Sequence, residues 1–423
     1  MRRIQIDLEK IIIEYMKTVG LLAYHQACNF GANLQIFSTY SFLLNHGFNP
    51  IVINYVPDSL AAFYARPIYS KKQSEMHHIF TSKMQTTRLC RNSKEVADVI
   101  CENRIEGVII GSDAVAQHHT FFSRIIFPSK RHIVSFDRAS TDRLFPNAFW
   151  GEFLLYLEKP IITVIMSASN QQSDFHQFLP CTMKRMRQML SKISYISVRD
   201  EWTQRMYNHI FKGKLNPEIT PDPVFAFNYN VNIIPQKDDI LRRFSLPDKY
   251  ILLAVRNATT LTDDWMLEFE RICKKHDYVC VAFPFPQGLK NNKVLQTRID
   301  LPLSPIDWYA LIKYSSGFVG NNMHTVISAL HNSVPLFCFD QYGIKRLNYF
   351  DIPESSKIYD IMHRAGFDNN RVHCGKIHDT LPTPQHVFEV LMQFDKEKCK
   401  AFAEMYYQRY LGMMKQIIEL MEN

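Results

Sequence analysis

The sequence predicts an α/β protein built of two Rossmann-like, doubly wound domains in tandem and a C-terminal amphipathic helix. Short apolar runs of strand length alternate with helical segments along most of the chain, a pattern typical of parallel sheets covered by helices. The alternation lapses once, at about residues 228–248, and then resumes. The chain has 423 residues, enough for two or three domains of roughly 100–200 residues each.

The first domain is predicted over residues 1–235, and its opening segment is uncharged. Residues 18–57 contain no Asp, Glu, Lys or Arg, yet polar residues interrupt every window long enough to span a membrane. Apolar runs at 19–24 and 51–55 predict two buried parallel strands, and residues 32–46 between them predict a helix. A βαβ unit that is covered on both faces explains the missing charges.

The rest of the first domain continues this alternation after a polar stretch. Residues 58–91 lack a clear periodicity and predict an excursion at the sheet edge, a mobile lid or a plain surface loop. The strands and helices that complete the sheet are then predicted at 93–101 (helix), 107–110 (strand), 160–166 (strand), 175–190 (helix) and 195–198 (strand).

The second domain is predicted over residues 236–395 by the same kind of alternation. Its elements are expected at 250–255, 278–283, 317–320 and 334–339 (strands) and at 265–275, 305–314 and 323–332 (helices). Residues 396–423 carry apolar side chains at close to 3.6-residue spacing and predict one long amphipathic helix. We expect this helix to brace the domains; because it also carries Lys and Arg, peripheral contact with an anionic membrane is the alternative.

Composition and charge are those of an ordinary globular protein. Hydrophobic residues make up 46% and charged residues 21% of the chain, which excludes disorder and collagen-like repeats. The net charge of +8 is too small to indicate a nucleic-acid partner, and it favours anionic ligands only weakly. Nine cysteines without a Cys-x-x-Cys pair favour free thiols over a disulfide framework or a zinc site. Asp7, Glu9 and Lys10 interrupt what would be the apolar part of a signal peptide, so we expect a cytoplasmic protein.

Candidate ligand-binding residues lie just after the predicted strands, because open α/β sheets bind ligands beyond the carboxyl ends of their strands. In the first domain these are Asn29, Gly31, Asn33, Ser112 and Asp113. A neutral loop that begins a helix offers backbone N–H groups to an anion or to sugar hydroxyls, although a simple turn is the alternative. A carboxylate at a strand end can act as a base or hold hydroxyls, or it can serve as a helix N-cap.

In the second domain the corresponding residues are Arg256, Asn322, Met323 and His324. An arginine that leaves a buried strand is costly unless it meets an anion, and its planar fork suits a carboxylate or a phosphate. A histidine at a helix N-terminus can bind phosphate or exchange a proton. Arg256 and His324 on neighbouring strand ends therefore predict an anion site.

Several common motifs are missing from the sequence. It contains no G-x-x-x-x-G-K-[ST], no G-x-G-x-x-G after a strand, no H-E-x-x-H and no G-x-S-x-G. Readings as a P-loop ATP hydrolase, a dinucleotide-binding enzyme, a zinc protease or an α/β-hydrolase therefore lack their usual support.

Four short motifs, in order along the chain, carry a resemblance to a known family. Asn29-Phe30-Gly31-Ala32-Asn33-Leu34-Gln35 is similar to N-[YF]-G-x-x-L-Q, Val108-Ile109-Ile110-Gly111-Ser112-Asp113 to V-I-x-G-S-D, Ser197-Val198-Arg199-Asp200 to S-x-R-[DE], and Asp222-Pro223-Val224 to D-P-[TV]. Met323-His324 before a helix and Val334-Pro335 after it complete the order. The chain thereby resembles, over roughly residues 18–345, the polysaccharide pyruvyl transferase family, whose members transfer pyruvate from phosphoenolpyruvate to a sugar of a bacterial surface polysaccharide as a ketal.

The resemblance implies a GT-B-like arrangement, with the site in the cleft between the two domains. It implies that Arg256, Asn322, Met323 and His324 bind phosphoenolpyruvate, with His324 as the acid and Asp113 as the base. The acceptor, a free sugar or a lipid-linked oligosaccharide, would lie against Asn29, Gly31, Asn33, Ser112 and Asp113. No metal or other cofactor is expected, because arginine and helix N-termini can carry the phosphate charge.

Two features depart from the family pattern, and two other functions stay open. Asn322 stands where many members have Ser or Arg, and Ala114 and Ala116 stand where Gln and Trp are frequent, which suggests a reshaped acceptor pocket. The chief alternative is a GT-B glycosyltransferase that uses a nucleotide sugar, with Asp340 or Asp351 on the ribose. The other alternative is a scaffold of polysaccharide assembly that has lost catalysis.

Overall fold

The computed structural model describes residues 16–126, 135–136, 139–171, 173–255, 261–346, 350–374 and 381–422. The strands are β1 (Thr18–Leu22), β2 (Asn49–Val52), β3 (Gly107–Asp113), β4 (Ile125–Ile126), β5 (Ser135–Phe136), β6 (Ile162–Ala168), β7 (Tyr195–Val198), β8 (Glu218–Ile219), β9 (Tyr250–Ala254), β10 (Val279–Ala282), β11 (Thr297–Arg298), β12 (Gly317–Gly320), β13 (Leu336–Asp340), β14 (Ile344–Arg346), β15 (Phe350–Ile352) and β16 (Arg371–His373). The α-helices are α1 (Phe30–Asn45), α2 (Asp58–Tyr64), α3 (Lys71–Thr81), α4 (Ser93–Glu102), α5 (Pro180–Leu190), α6 (Glu201–Ile210), α7 (Phe227–Asn230), α8 (Lys237–Phe244), α9 (Asp263–Lys275), α10 (Pro305–Lys313), α11 (Met323–His331), α12 (Lys357–Arg364), α13 (Pro384–Met392) and α14 (Lys396–Glu422).

Two parallel sheets of six strands form the frame of the molecule. The first has the order β2-β1-β3-β6-β7-β8 and the second has the order β11-β10-β9-β12-β13-β16. All strand pairs within these two sheets are parallel, and helices cover them. The predicted α/β class with two doubly wound halves is confirmed. The first sheet ends at Ile219 and the second begins at Tyr250, while the domain limits 1–235, 236–395 and 396–423 stay a prediction.

The uncharged segment 18–57 forms the predicted βαβ unit, with β1 and β2 paired in parallel around α1. Thirteen residues of α1 are buried, among them the polar residues Asn33, Gln35, Ser38 and Thr39. The helix is buried on nearly every side because it packs on α10 and α11 of the second half as well as on its own sheet. A charged side chain on this helix would have no route to water, which accounts for the neutrality of the sequence.

The polar stretch 58–91 is more ordered than the sequence predicts, since it contains the helices α2 and α3. Gln73 of α3 docks on the second half: its Nε2 donates to the Leu303 carbonyl (2.9 Å) and its Oε1 accepts from the Leu303 N–H (2.8 Å). Sequence periodicity gives little warning of this helix, because only three of its residues are buried. The predicted helix at 175–190 begins at Pro180 instead, because proline is favoured in the first turn of a helix.

The predicted C-terminal amphipathic helix is α14, and it contacts both halves of the molecule. Near its start, Cys399 Sγ donates to the Leu330 carbonyl of α11 (3.3 Å). Farther along, Ser167 Oγ at the end of β6 donates to Met413 Sδ (3.3 Å), and Lys17 Nζ donates to the Met421 carbonyl (3.1 Å). Among the helices in the described ranges, none is both long enough and apolar enough to cross a membrane.

Candidate functional site

Two helix N-termini, one from each half, meet between the sheets. Asn29 caps α1, and its side chain accepts from the N–H groups of Gly31 (3.0 Å) and Ala32 (3.4 Å). Asn322 caps α11 in the same way and accepts from the N–H groups of His324 (3.0 Å) and Thr325 (3.2 Å). Both predicted ligand-binding asparagines thus use their side-chain oxygen as an N-cap, because the first N–H groups of a helix have no partner within the helix.

His324 lies directly against Gly31. A Cβ atom added to Gly31 would overlap the imidazole ring of His324, so only a glycine fits at this point of the contact. His324 is 6% exposed, and its Nε2 has no hydrogen-bond partner among the described residues. A buried nitrogen without a partner is costly, which is typical of a group that meets a ligand.

Ser112 and Asp113, at the end of β3, are held in a polar network with α1. Gln35 Nε2 donates to Ser112 Oγ (3.1 Å) and also to the carboxylate of Asp222. The Asp113 N–H donates to Ser112 Oγ (2.7 Å). The motif that contains Gln35 therefore fixes the strand end that contains Asp113.

Arg199 is the most prominent member of the site that our sequence assignments missed. It follows β7 and is buried, with its Nη1 2.7 Å from Asp222 Oδ2 and its Nη2 3.6 Å from Asp113 Oδ1. Its Nε and Nη2 donate no hydrogen bond to any described residue. Arg199 is part of the Ser-x-Arg-Asp motif, whereas the pattern of residues at strand ends pointed to Arg256.

Lys357 is a second buried cation, and nothing in the sequence pointed to it. It occupies the first position of α12, is 8% exposed, and its Nζ donates to Gln171 Oε1 (3.2 Å) in the first half. The residue lies beyond the segment 18–345 that carries the resemblance. Only the approach of α12 to the first sheet brings it near Arg199 and Asp113.

The charges of these groups determine their protonation. Burial lowers the pKa of His324 to about 4; Asp113 and Asp222 oppose this shift, while Arg199 and Lys357 reinforce it. Burial likewise lowers the pKa of Lys357 to about 8, with Arg199 adding to the effect. For Asp113, burial alone would raise the pKa, but Lys357, His324 and Arg199 outweigh it and hold the pKa below its ordinary value. At neutral pH the free protein therefore holds a neutral imidazole beside two cations and a carboxylate.

Two small cavities lie on either side of the first turn of α11. One is lined by Asn29, Gly31, Asn322 and Thr325, together with aromatic side chains that include Trp308. The other is lined by Arg199, Asp222, Met323 and Lys357. The arrangement can bind an anion through the two cations and the N-terminus of α11, in whose first turn His324 lies.

Not every predicted residue joins this cluster. The side-chain amide of Asn33 is used for structural hydrogen bonds. Its Nδ2 donates to the His25 carbonyl (3.3 Å), and its Oδ1 accepts from His77 Nδ1 (3.1 Å). Arg256 lies outside the described residues, although β9 and β12, which lead to Arg256 and His324, pair as neighbours as expected. Within the described part of the chain, no group of three or more His, Cys, Asp or Glu side chains is arranged to hold a metal ion.

Fold and site together define a GT-B-like protein of two halves with a buried cluster of charged side chains in the cleft between them. A family model described as polysaccharide pyruvyl transferase matches residues 29–341. The chain therefore belongs to the polysaccharide pyruvyl transferase family, as the sequence motifs predict. No match is found among curated proteins.

Solved structures with the same fold include sugar-nucleotide enzymes. The UDP-GlcNAc 2-epimerase from Neisseria meningitidis, bound to UDP-GlcNAc, has a TM-score of 0.53 at 12% identity over 96% of this chain and 100% of that chain. The UDP-N-acetylglucosamine 2-epimerase from Rickettsia bellii has a TM-score of 0.51 at 10% identity over 96% and 97%. A ugt transferase from Siraitia grosvenorii in complex with UDP has a TM-score of 0.51 at 9% identity over 96% and 100%. At such identities these likenesses show the GT-B-like fold alone.

Proposed function

We propose that this protein transfers pyruvate from phosphoenolpyruvate to a sugar as a ketal and releases phosphate. The observation that carries the proposal is His324 Nε2, a buried nitrogen without a partner among the described residues, beside Arg199, Lys357 and Asp113. The family match supports the same reading. The acceptor, free or lipid-linked, would enter from the side of the first sheet, and the reaction would take place in the cytoplasm, with or without peripheral contact with the membrane.

The anionic groups of phosphoenolpyruvate suit the cationic side of the cluster. Arg199 has two nitrogens that donate no hydrogen bond to the described residues, and its planar guanidinium matches a phosphate or a carboxylate. Lys357 adds a second positive charge, and the first turn of α11 adds the positive end of a helix dipole. Arg256 stays part of this proposal as a further cation at the end of the neighbouring strand.

His324 would protonate C3 of the enol, which makes C2 electrophilic. In the free protein its pKa of about 4 leaves the imidazole neutral, because burial and the two cations disfavour its charge. The bound anion neutralises those cations and adds negative charge, so it would raise the pKa of His324 and load it with a proton. Proton uptake by His324 is thereby coupled to binding of phosphoenolpyruvate, so the imidazole stays unprotonated until this substrate is bound.

The acceptor hydroxyls would then add at C2 in two steps. Asp113, a carboxylate at neutral pH, would accept the proton of the first hydroxyl as its oxygen bonds to C2. Departure of phosphate gives an oxocarbenium ion, and the second hydroxyl closes the ketal. Over one turnover the two hydroxyl protons end on the new methyl group and on the released phosphate, so the reaction balances without a metal or a redox cofactor.

A nucleotide-sugar reading has less support from this chain. Asp340, the first candidate for binding a ribose, is buried and already engaged: it accepts from Arg371 Nη1 (2.8 Å), Ser356 Oγ (2.7 Å) and the Tyr342 N–H (2.9 Å). The side chain of Asp351, the second candidate, lies outside the described residues. Among the described residues of the site, no contact favours this alternative over pyruvyl transfer.

A thermal-shift comparison of phosphoenolpyruvate with UDP-GlcNAc tests the proposal. Ligands that bind the folded state raise the apparent Tm by mass action. We expect phosphoenolpyruvate to raise the Tm of the wild type and to leave the Tm of Arg199→Lys nearly unchanged. UDP-GlcNAc should shift the Tm of neither protein. Stabilisation by UDP-GlcNAc alone would overturn the proposal.

A further inference from the structure

We propose that Tyr24, Tyr64 and Asp142 form a sugar-binding subsite next to Asp113, which holds the acceptor by hydroxyls that do not react. The inference rests on the proposed function for the identity of its ligand as an acceptor. It concerns residues outside the phosphoenolpyruvate side of the cleft. Carboxylates accept hydrogen bonds from sugar hydroxyls, and tyrosines combine an apolar ring face with a polar tip.

Asp142 carries the argument, because it is a buried carboxylate with too few partners. It is 1% exposed, and its Oδ2 accepts from the Tyr24 hydroxyl (2.8 Å). Its Oδ1 has no hydrogen-bond partner in any of the ranges that the structure describes. A buried carboxylate oxygen is normally satisfied by donors, so a site that leaves one unmet is suited to a ligand that brings its own O–H groups.

The loop that carries Asp142 is rigidly built. Asn147 donates through its Nδ2 to three carbonyls of this loop, those of Thr141 (3.2 Å), Asp142 (2.9 Å) and Leu144 (3.0 Å). Ser59 of α2 bonds to Thr141 twice, at its hydroxyl (3.0 Å) and its N–H (2.8 Å). Asp142 is therefore held in place by its own loop and by α2 rather than carried on a free surface.

The same loop adjoins the segment that follows Asp113. The His119 N–H donates to the Arg143 carbonyl (3.0 Å), and Trp150 Nε1 donates to the Gln117 carbonyl (3.1 Å). The loop of Asp142 thus packs on the segment that follows Asp113, the proposed base.

Tyr64 ends α2, the helix whose Ser59 bonds to Thr141, the residue before Asp142. Burial raises its pKa, the negative charge of Asp142 raises it further, and Asp113 adds a smaller effect of the same sign. Tyr24 responds to burial first and then to Asp142. Both phenols therefore stay protonated at physiological pH. Tyr64 can donate to a sugar oxygen, while Tyr24, whose O–H is donated to Asp142, can accept from a sugar hydroxyl. Tyr24, Tyr64 and Arg143 are only half-buried, so the group keeps a side open to solvent.

Asp142→Asn is the informative variant, because it keeps the shape and removes the charge. Saturation-transfer NMR with a panel of methyl glycosides of glucose, galactose and mannose, together with N-acetylglucosamine and N-acetylmannosamine, measures binding directly. We expect at least one of these sugars to bind the wild type, and Asp142→Asn to weaken that binding at least tenfold. The Tm of Asp142→Asn should equal or exceed that of the wild type, because the substitution removes a buried charge whose Oδ1 has no partner among the described residues. If the carboxylate had a purely structural role, its replacement would lower the Tm.

Tyr64→Phe provides a second variant that does not depend on the folding of Asp142→Asn, and Tyr156→Phe, an exposed tyrosine elsewhere, is its matched control. We expect Tyr64→Phe to weaken sugar binding and Tyr156→Phe to leave it unchanged. Absence of binding to the wild type, or equal binding by wild type and Asp142→Asn, would overturn the subsite. If sugar binding depends on Asp142 while phosphoenolpyruvate gives neither a Tm shift nor phosphate release, the subsite stands and the proposed reaction fails.

Discussion

The backbone of Gly31 lies in contact with the imidazole ring of His324, so that α1 of the first half and α11 of the second half meet without a side chain between them. Each helix begins at a capping asparagine, Asn29 or Asn322, and each follows a strand of its own sheet. The contact therefore joins the carboxyl ends of two separate parallel sheets, and it fixes the position of the residue that we propose as the acid.

A methyl group at position 31 should disrupt this contact. In Gly31→Ala the new Cβ overlaps the ring of His324, so either the imidazole leaves its position or the two halves move apart. Overpacking of this kind typically costs about 1–3 kcal/mol. We expect a lower Tm and at least a hundredfold loss of phosphate release from phosphoenolpyruvate. Gly412→Ala in α14, where a Cβ meets no atom within 4 Å, is the control and should raise stability slightly. Full activity in Gly31→Ala would contradict the role of the contact.

Replacing His324 by Gln should abolish phosphate release while the fold is kept. The Nε2 of His324 has no hydrogen-bond partner among the described residues, so its loss breaks none of their hydrogen bonds. An effect on phosphate release smaller than tenfold would remove His324 from the chemistry.

The pH dependence of stability should change in the same variant. With a pKa near 4 in the folded protein against 6.5 for a free imidazole, the unfolded chain binds a proton at His324 between these values that the folded protein does not. The free energy of unfolding therefore rises with pH from 4 to 6.5, and this gain is lost as the pH falls. His324→Gln should flatten the rise by at most about 3 kcal/mol. His386→Gln, at an exposed position, should leave the curve of the wild type unchanged; an identical slope in His324→Gln would show that the imidazole titrates normally.

Arg199 should be essential to the fold as well as to donor binding. Arg199→Ala leaves Asp222 buried without its cation, which typically costs about 3–5 kcal/mol. Arg199→Lys keeps the charge but loses the planar fork, so we expect it to fold and to raise KM for phosphoenolpyruvate more than tenfold. Arg205→Ala removes an exposed ion pair on α6 and should change stability by less than about 0.5 kcal/mol. Denaturant unfolding and steady-state kinetics measure these effects; equal KM values in wild type and Arg199→Lys would contradict the assignment.

Donor affinity should fall as the pH rises through 8. The pKa of Lys357 is about 8 because the ammonium is buried and faces Arg199, so the group loses its proton above this pH and no longer attracts an anion. Calorimetric titration with phosphoenolpyruvate between pH 6.5 and 9.5 measures the effect. Lys357→Arg stays charged throughout this range and should bind with little dependence on pH. A parallel decline in both proteins would assign the pH dependence to another group.

The architecture could be predicted from the amino-acid sequence alone, because the signals for it are local. The uncharged βαβ unit, the alternation on both sides of residues 228–248 and the 3.6-residue spacing of the last helix each depend on neighbours within a few turns of chain. Asn29 and Asn322 could be selected as candidate site residues because each stands just before a helix. The Asn-Phe-Gly motif, the Gly-Ser-Asp strand end and Met323-His324 sufficed to indicate the family.

Which side chains come together in the cleft could be seen only in the folded chain. Asn33 bonds to His77, away from the cluster. Arg199 pairs with Asp222 and lies near Asp113. Lys357, which no motif marks, donates to Gln171 of the first half. These contacts join residues far apart in sequence, and they exist because the carboxyl ends of two sheets face one another. Local periodicity and motif spacing carry no information about that approach, so burial, charge pairing and the unmet Nε2 of His324 could be known only from the folded chain.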